Sequence, residues 1–402
     1  MSEHVVGAIQ IEQQEEHPKR NNWAPLALGF RPFFVLAIWF SALLMLISLG
    51  GFIADIKLPN YFDFRLWHAH EMVFGYAVAV ISGFLLTSVR NWTGLTTPSG
   101  MSLAGLVLLW FAPRVLSFLP LLPPTVFALL DGLFLPVLTI VLARPLLQAK
   151  QTRNYPIPVL ILLLALCNAT VHLEQLGLVM DVAAQAMQIA VLTIVALIVV
   201  VAGRVVPFFM QRAINVRPVA NKTIEILALP SVLLFAAAIG FGQTGLMIVT
   251  ALLASMIHGA RLFSWFDSAI LRQPMLWVLH VGYAWIIVGF LLYAVAVLWS
   301  MPVAHAVHAW TLGAVGMFTL GMMARVSLGH TGRNIEALSG MLLAFALIFV
   351  ATLIRVVLPM VEPSMLDVSI ILSATCWIIA FVIVGVRYSS ILLHARVDGK
   401  PG

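Results

Sequence analysis

The most regular feature of this sequence is a succession of apolar runs, each about as long as a membrane-spanning helix. A helix needs about 20 apolar residues to cross the hydrocarbon core of a bilayer. Twelve runs reach this length, and short connections containing Pro, Asn and Gly separate them. We predict twelve transmembrane helices, at residues 30–53, 68–89, 101–119, 125–147, 157–177, 183–206, 224–241, 245–265, 275–299, 307–328, 337–358 and 367–388.

The connections are too short to form a soluble domain. The pattern therefore predicts an all-α polytopic membrane protein with a single transmembrane domain over residues 26–390. Residues 1–25 and 391–402 are predicted to be cytosolic tails, the first of them flexible. The first 24 residues carry four glutamates and lack the layout of a cleavable signal peptide. Comparing the runs with one another shows no convincing internal repeat.

The distribution of lysine and arginine predicts the orientation of these helices. Eighteen of the 22 basic residues fall on one side of the predicted bundle, in the two tails, the even-numbered loops and the helix ends beside them. The other side keeps only Lys57, Arg65, Arg114 and Arg355. Cytoplasmic loops carry the excess of basic residues in membrane proteins. Both termini are therefore predicted to be cytoplasmic.

Composition agrees with the apolar pattern and excludes several classes of protein. Hydrophobic residues make up 62% of the chain and charged residues only 9%, whereas soluble domains carry roughly 25% charged residues. This excludes a soluble enzyme, a disordered chain and a coiled coil. The net charge of +6 follows from the orientation bias, and no basic run is dense enough for nucleic-acid binding. Cys167 and Cys376 lie within apolar runs, so we expect neither a disulfide nor a thiolate metal site.

Histidine is frequent in a chain with so few charges. His4, His17 and His394 fall in the predicted tails, and the other eight lie at two depths. Imidazole binds haem iron, copper and zinc, and helix bundles hold such cofactors between facing side chains. We therefore predict metal ligands near both faces of the membrane. The candidates at the predicted outer face are His68, His70, His172, His305 and His308. Those in the cytoplasmic half are His258, His280 and His330.

Spacing and neighbouring residues suggest roles for some of these side chains. His68 and His70 are two residues apart, so on a helix they point about 200° apart. The two imidazoles therefore bind either two metal centres, one on each side of the helix, or one metal centre while the other imidazole makes a helix-cap hydrogen bond. His305 and His308, three residues apart, share a helix face unless His305 belongs to the preceding loop. Glu71 is the predicted catalytic residue, which orients a ligand imidazole or relays protons; alternatively, its carboxylate simply stabilises the helix N-terminus.

Three arginines are candidate anchors for a cofactor. Arg204 ends the sixth predicted helix, and Arg325 and Arg333 flank His330. The propionates of haem need fixed cations or hydrogen-bond donors, and arginine supplies forked ones. The alternative interpretation is that these residues contribute only to the positive-inside bias.

Several short motifs resemble those of the NnrS family. The string WHAHEMVFG at residues 67–75 is similar to the family's WHAHEMxFG signature, and GHTGR at residues 329–333 is equally specific. The matches run in order from about residue 26 to 335. The other matching positions are GFRPFF at residues 29–34, NWTG at residues 91–94, Gly203-Arg204, Leu279-His280, and His308 with Gly313 and Gly316.

The resemblance implies a multi-pass protein of the bacterial inner membrane that is linked to nitric oxide, nitrosative stress and denitrification. It also implies haem, which we expect to be of b type, with copper as a further candidate cofactor. The histidines that match the family motifs, and are implied as ligands, are His68, His70, His280, His308 and His330. The candidacy of His172, His258 and His305 rests on their residue type and position alone.

The leading hypothesis is a haem protein, with or without copper, that binds or reductively converts nitric oxide. Nitric oxide is small, neutral and soluble in lipid, and a ferrous haem with one open position binds it. The predicted ligands form an outer centre or close pair (His68, His70, His308) and a cytoplasmic centre (His258, His280, His330). Quinol or another membrane donor would supply electrons. The sequence leaves the oligomeric state open.

Two other hypotheses fit twelve helices. A secondary transporter is disfavoured because no long loop divides the chain into halves and no pair of broken helices is placed symmetrically. A quinol-linked oxidoreductase similar to the haem–copper oxidases and nitric oxide reductases would explain the His-x-His pair. The chain lacks the adjacent His-His pair that such enzymes use at copper.

Overall fold

The computed structural model describes residues 23–54, 61–119, 122–219 and 221–400, which are almost entirely helical. The predicted N-terminal tail, with His4 and His17, lies outside the described residues except for residues 23–25, as does Lys57. The helices are α1 Phe30–Ala54, α2 Phe64–Thr93, α3 Gly100–Leu116, α4 Pro124–Gln148, α5 Pro156–Gln175, α6 Ala183–Ile214, α7 Lys222–Gly240, α8 Thr244–Trp265, α9 Pro274–Leu298, α10 Ala304–His330, α11 Met341–Val361 and α12 Leu366–Leu393.

This architecture confirms the prediction of an all-α polytopic membrane protein. Eleven helices of the described chain are long and apolar enough to cross a membrane. The remaining one, α3, has 17 residues, which is at the lower end of the spanning range of about 17–25. Helix α2 is longer than its apolar run because the Asp63 side chain caps its start and Gly94 ends it in the left-handed conformation.

Three helices form the interior of the bundle. The most apolar windows of α2, α6 and α10 are 83%, 72% and 94% buried, against 33–50% for the other spanning helices. These three helices also contact one another. A helix that is apolar on all sides is stable when protein surrounds it, whereas the outer helices keep one face for lipid. The central helices are the second, sixth and tenth, so each is separated from the next by three peripheral helices.

Helices α2 and α10 share an irregularity directly after a histidine. Residues Glu71–Ala77 of α2 and Ala309–Gly316 of α10 are π-helical, following His70 and His308 respectively. The wider π turn of α2 leaves the carbonyl groups of Phe74 and Gly75 able to accept hydrogen bonds from side chains of α3. Such π segments are rare and frequently lie at functional sites.

The two π segments also reveal an internal repeat that comparison of the apolar runs does not detect. Aligned on the π segments, α2 and α10 share a histidine, two glycines and a terminal Thr-Gly pair at identical intervals. The positions are His70, Gly75, Gly83, Thr93 and Gly94 in α2, and His308, Gly313, Gly321, Thr331 and Gly332 in α10. Comparison of the apolar runs alone predicts no repeat, whereas these shared positions indicate one. Few positions carry the repeat, because most apolar residues between them are interchangeable.

Packing against the repeated glycines is equivalent in the two halves. A Cβ on Gly75 or Gly83 would lie 2.7 or 3.0 Å from phenylalanine atoms of α1. A Cβ on Gly313 or Gly321 would lie 2.5 or 2.7 Å from side-chain atoms of α9. In each half the central helix is thus approached closely by the helix that precedes it. The repeat therefore includes the peripheral helix as well as the central one.

The C-terminal residues return to the end of α10. The backbone N–H of Val397 donates to the Thr331 carbonyl at 3.2 Å, and Arg396 Nη1 donates to the His330 carbonyl at 2.9 Å. Arg396 also forms an ion pair with Asp398 at 2.6 Å, which lowers the pKa of Asp398 to about 2. Gly332 has a φ of +74°, and a Cβ there would lie 2.7 Å from the Asp398 carboxyl carbon.

Replacing Gly332 with alanine is therefore expected to destabilise the protein by roughly 1–2 kcal/mol from backbone strain alone, with a further cost from the contact with Asp398. Gly94 is the matched control, because its φ is +70° and nothing lies within 4 Å of an added Cβ. Thermal unfolding of purified G332A and G94A measures the difference. Equal stability of the two variants would show that the Asp398 contact contributes nothing.

Candidate functional site

Side chains from four consecutive helices meet in a buried group at the predicted outer end of the bundle. The position of each on its helix directs it inward, and none is more than 5% exposed. Buried charged groups in a membrane protein are costly and mark functional sites. We call this group the acidic histidine cluster. Its members are His70 and Glu71 of α2, Arg114 of α3, Asp131 of α4 and His172 of α5.

Both imidazole rings of the cluster turn their Nε2 atoms towards one carboxylate oxygen. Asp131 Oδ2 lies 3.4 Å from His70 Nε2 and 3.0 Å from His172 Nε2. The Nδ1 atoms face outward, that of His70 at 3.1 Å from Glu71 Oε1 and that of His172 at 3.4 Å from the Tyr61 hydroxyl. Burial raises the pKa of Tyr61 to about 12, so this hydroxyl stays protonated.

Arg114 connects the two carboxylates of the cluster. Its Nε lies 2.8 Å from Glu71 Oε2, and its Nη2 forms an ion pair with Asp131. Two carboxylates and one guanidinium leave a net charge of −1 when both imidazoles are neutral. Such a charge is unfavourable in a low-dielectric interior unless a cation compensates it. Among the described residues, His70, Asp131 and His172 are the group whose ligand atoms all lie within 4.8 Å of one another.

A second group of histidines lies on the opposite side of α2. His68 Nδ1 is 2.8 Å from the Ser48 hydroxyl, and His308 is within charge–charge range of His68, His305 and Arg355. No carboxylate among the described residues forms an ion pair with Arg355. This basic histidine cluster, which consists of His68, His305, His308 and Arg355, therefore differs from the first cluster in the sign of its charge.

The structure thus divides the predicted outer set between two clusters. His70 lies with His172, whereas His68 lies with His305 and His308. The ligand atoms of His68, His70 and His308 do not form a group within 4.8 Å. This arrangement corresponds to the alternative in which His68 and His70 serve two centres on opposite sides of α2.

At the other end of the bundle the three predicted ligands are separate from one another. Both ring nitrogens of His258 have partners, the Tyr283 hydroxyl at 2.7 Å and Ser231 Oγ at 3.3 Å. His280 Nδ1 lies 2.9 Å from the Leu276 carbonyl, and its buried Nε2 has no hydrogen-bond partner among the described residues. The ring of His330 instead lies 5.7 Å from that of Phe30. Of these three, His280 is the best placed to accept a ligand.

The predicted arginine anchors have different surroundings. Arg204 donates to the Arg153 carbonyl and to the Asn154 side chain, so its guanidinium is already engaged. Arg325 lies over the Phe209 ring at 3.9 Å, and its buried Nε lacks a hydrogen-bond partner in the described chain. Arg333 makes one long contact, at 3.5 Å, with the Thr331 carbonyl. Arg325 and Arg333 thus keep more donor capacity than Arg204.

Three members of the two clusters, Asp131, Arg114 and Arg355, were not predicted as site residues from the sequence, nor were Asn168 and Tyr61, which contact the acidic histidine cluster. A signal for Asp131 was present, because it is a lone acid within the apolar run at residues 125–147. Arg114 lies similarly within the run at residues 101–119. Asn168 contacts both sides of the first cluster. Its Oδ1 lies 2.9 Å from His70 Nε2, and its Nδ2 donates to Asp131 Oδ2.

These features define a multi-pass helical membrane protein with a buried acidic histidine cluster and a half-buried basic one. The chain belongs to the NnrS family, since the family model described as NnrS protein matches residues 24–396, nearly the whole chain. The resemblance seen in the sequence motifs is thereby confirmed. A search of curated proteins finds no match.

Proposed function

We propose that this protein is a haem protein of the bacterial inner membrane that binds or reductively converts nitric oxide in nitrosative-stress or denitrification physiology. Family membership supports this assignment at the level of the family. The buried histidines supply the chemistry that such a protein needs. Copper or another non-haem metal is a second cofactor in this proposal.

The observation that carries the proposal is the orientation of His280 and His308. Each ring directs Nδ1 at the carbonyl one turn earlier in its own helix, at 2.9 Å for Leu276 and 2.7 Å for Ala304. A proton held on Nδ1 leaves the lone pair of Nε2 for a metal. The Nε2 of His280 is buried and makes no hydrogen bond of ordinary geometry with the described residues.

Both residues would therefore be suited to hold haem iron through Nε2. Bound haem would supply the iron that binds nitric oxide. Arg355 beside His308, and Arg325 in the predicted cytoplasmic half, have guanidinium groups suited to haem propionates. His308 with Arg355 and His280 with Arg325 are thus two separate candidate haem sites. We assign His68 and His305 to the surroundings of His308.

The three central helices also enclose a place for a small apolar ligand. An apolar cavity of about 50 Å³ lies between α2, α6 and α10, with Phe84, Leu197 and Phe318 among its lining residues. Apolar cavities of this kind stay dry and accept small apolar molecules. The size and lining suit nitric oxide, which reaches the bundle through lipid.

Reductive conversion of nitric oxide consumes protons and electrons. Glu71 is the candidate proton-handling group, because its carboxylate contacts both the His70 imidazole and the Arg114 guanidinium. A quinol or another membrane donor would supply the electrons. Binding of nitric oxide without turnover requires neither protons nor electrons. An assay of nitric oxide consumption therefore distinguishes a protein that only binds nitric oxide from one that converts it.

Replacing His280 or His308 with alanine is expected to remove haem from its site and to reduce the Soret absorbance per protein by about half or more, depending on how many haems are bound. His394→Ala is the control, since His394 makes the same Nδ1 contact with a carbonyl one turn earlier but is exposed at the end of α12. Iron content and the optical shift on adding nitric oxide are measured alongside. Wild-type protein without iron or a Soret band would refute the proposal. Stopped-flow mixing with excess reductant then tests whether nitric oxide is consumed.

A further inference from the structure

We propose that the acidic histidine cluster is a non-haem metal site in which His70 Nε2, His172 Nε2 and Asp131 Oδ2 bind a divalent first-row transition metal. The proposal deepens the assignment of a second cofactor and does not depend on haem at His280 or His308. It adds Asp131 as a ligand, and it separates this metal from the histidines of the basic cluster.

The spacing of the three ligand atoms matches a metal polyhedron. Metal–nitrogen and metal–oxygen bonds of about 2.0–2.1 Å in a tetrahedral site place ligand atoms about 3.3 Å apart. The two separations to Asp131 Oδ2 are 3.4 and 3.0 Å, and all three atoms lie within 4.8 Å of one another. The side chains therefore need little movement to bind an ion.

Partners behind the ligands hold them in this orientation. The Glu71 carboxylate accepts from His70 Nδ1, which is the carboxylate–histidine–metal arrangement found around metal sites. The Tyr61 hydroxyl plays the corresponding part for His172 Nδ1. Arg114 pairs with Asp131 Oδ1, and Asn168 Nδ2 donates to Oδ2 at 3.0 Å, so Oδ2 faces both imidazoles with one lone pair left for a metal. Each of the three proposed ligand side chains is therefore held by a hydrogen bond or ion pair at its other polar atom.

The charge of the cluster favours a cation. Its net charge is −1 with neutral imidazoles, and both ring nitrogens of His70 face acceptor oxygens, Glu71 Oε1 at 3.1 Å and Asn168 Oδ1 at 2.9 Å. A metal ion bound at His70 Nε2 and Asp131 Oδ2 would compensate the negative charge of the two carboxylates.

Comparison across the internal repeat shows why the acidic cluster differs from the basic one. By the interval that relates His70 to His308, Glu71 corresponds to Ala309 and Asp131 to Ser369. An arginine from the following helix accompanies both histidines, Arg114 in one case and Arg355 in the other. The same interval pairs Arg114 with Thr352, so Arg355 is not its equivalent by position. The second cluster nevertheless contains an arginine and lacks both carboxylates. We infer that the basic cluster suits an anionic group and the acidic cluster a metal ion.

The donor set narrows the class of metal. Two imidazoles and one carboxylate without thiolate suit Fe(II), Zn(II) and Cu(II), and disfavour Cu(I), which prefers sulfur ligands. Two histidines with one carboxylate and open positions are typical of non-haem Fe(II) sites. Ferrous iron at such a site binds nitric oxide, so we name Fe(II) as the metal that connects this site with the proposed function.

Cobalt is the probe for this site because Co(II) takes the same ligands and absorbs visible light. Purified, chelator-treated, haem-containing protein is titrated with Co²⁺, and Zn²⁺ is then added as a competitor. We expect one Co²⁺ per chain in the wild type, displaced by Zn²⁺. Asp131→Asn and His172→Gln should weaken Co²⁺ binding by about 100-fold or more. Tyr61→Phe should weaken it about 10-fold, as loss of a partner behind a metal ligand does.

Asp181→Asn is the matched control, because Asp181 is an exposed acid in the nearby loop between α5 and α6. It should bind Co²⁺ as the wild type does. An unchanged Soret band in His172→Gln and Tyr61→Phe distinguishes loss of this site from loss of haem or of the fold, even where Asp131→Asn does not fold. With Fe²⁺ and nitric oxide, a high-spin iron–nitrosyl EPR signal separate from haem nitrosyl is expected. Wild-type protein that binds no Co²⁺ or Zn²⁺, or binding unchanged in His172→Gln, would overturn the proposal.

Discussion

Replacing Arg114 with leucine is expected to remove most of the folded protein from the membrane. The guanidinium is 5% exposed and contacts both Glu71 and Asp131, so its loss leaves two buried carboxylates without their cation. Breaking a buried ion pair by removing one partner costs about 3–5 kcal/mol. Domains are stable by only about 5–15 kcal/mol. The yield of monodisperse protein after extraction, and its thermal unfolding, measure the effect.

A double variant tests whether charge is the cause. In Arg114→Leu/Asp131→Asn one buried carboxylate instead of two lacks its cation, so stability should be partly restored. Arg65→Leu is the control, because Arg65 is exposed on the same end of α2, where substitutions change stability by about 0.5 kcal/mol or less. If the single variant Arg114→Leu were as stable as Arg65→Leu, the cluster would not hold two ionised carboxylates.

The second large effect is expected from Gly313→Val in the π segment of α10. A Cβ at this position would lie 2.5 Å from Trp285 Cγ and 2.8 Å from Trp285 Cβ, which are atoms close to the α9 backbone and unable to move away. Overpacking of this kind costs about 1–3 kcal/mol and sometimes more. Because the segment follows His308, we also expect a weaker Soret band. The equivalent variant Gly75→Val should behave alike, since its Cβ would meet Phe40 and Glu71.

Gly105→Val provides the comparison for these two variants. Gly105 is an exposed helical glycine of α3 with nothing within 4 Å of an added Cβ. Thermal unfolding and Soret absorbance per protein should therefore be close to wild type in Gly105→Val and clearly lower in Gly313→Val. Similar values for all three glycine variants would mean that α9 and α10 tolerate separation, contrary to the close packing on which the internal repeat rests.

The membrane spans followed from the sequence because the bilayer imposes a length. A run such as residues 125–147 has to be helical and to cross, since lipid offers no partner for unpaired backbone groups. Cap residues could refine the limits further, as Asp63 and Gly94 do for α2. The opposite directions of His68 and His70 followed from helix geometry alone. These properties depend on residues close to one another in the chain.

The composition of the site depended on distant residues. Asp131 and His172 meet because α4 packs against both α2 and α5, and hydropathy does not tell which helices are neighbours. For the same reason the sequence grouped His70 with His308, although α2 separates their clusters. The open nitrogen of His280 was also out of reach, because it depends on which atoms surround the ring in the folded bundle.

The sequence alone thus determined the helical membrane fold, the approximate spans and the residue types available for metal binding. Tertiary packing settled which histidine meets a carboxylate, which meets only an arginine, and which helices are central. The reason lies in the range of the interactions. Hydrophobic length and helix periodicity act over a few turns, whereas a buried charge is stabilised by whichever partner another helix brings within about 3 Å. The acid-containing and acid-free clusters on the two sides of α2 are the result of that packing.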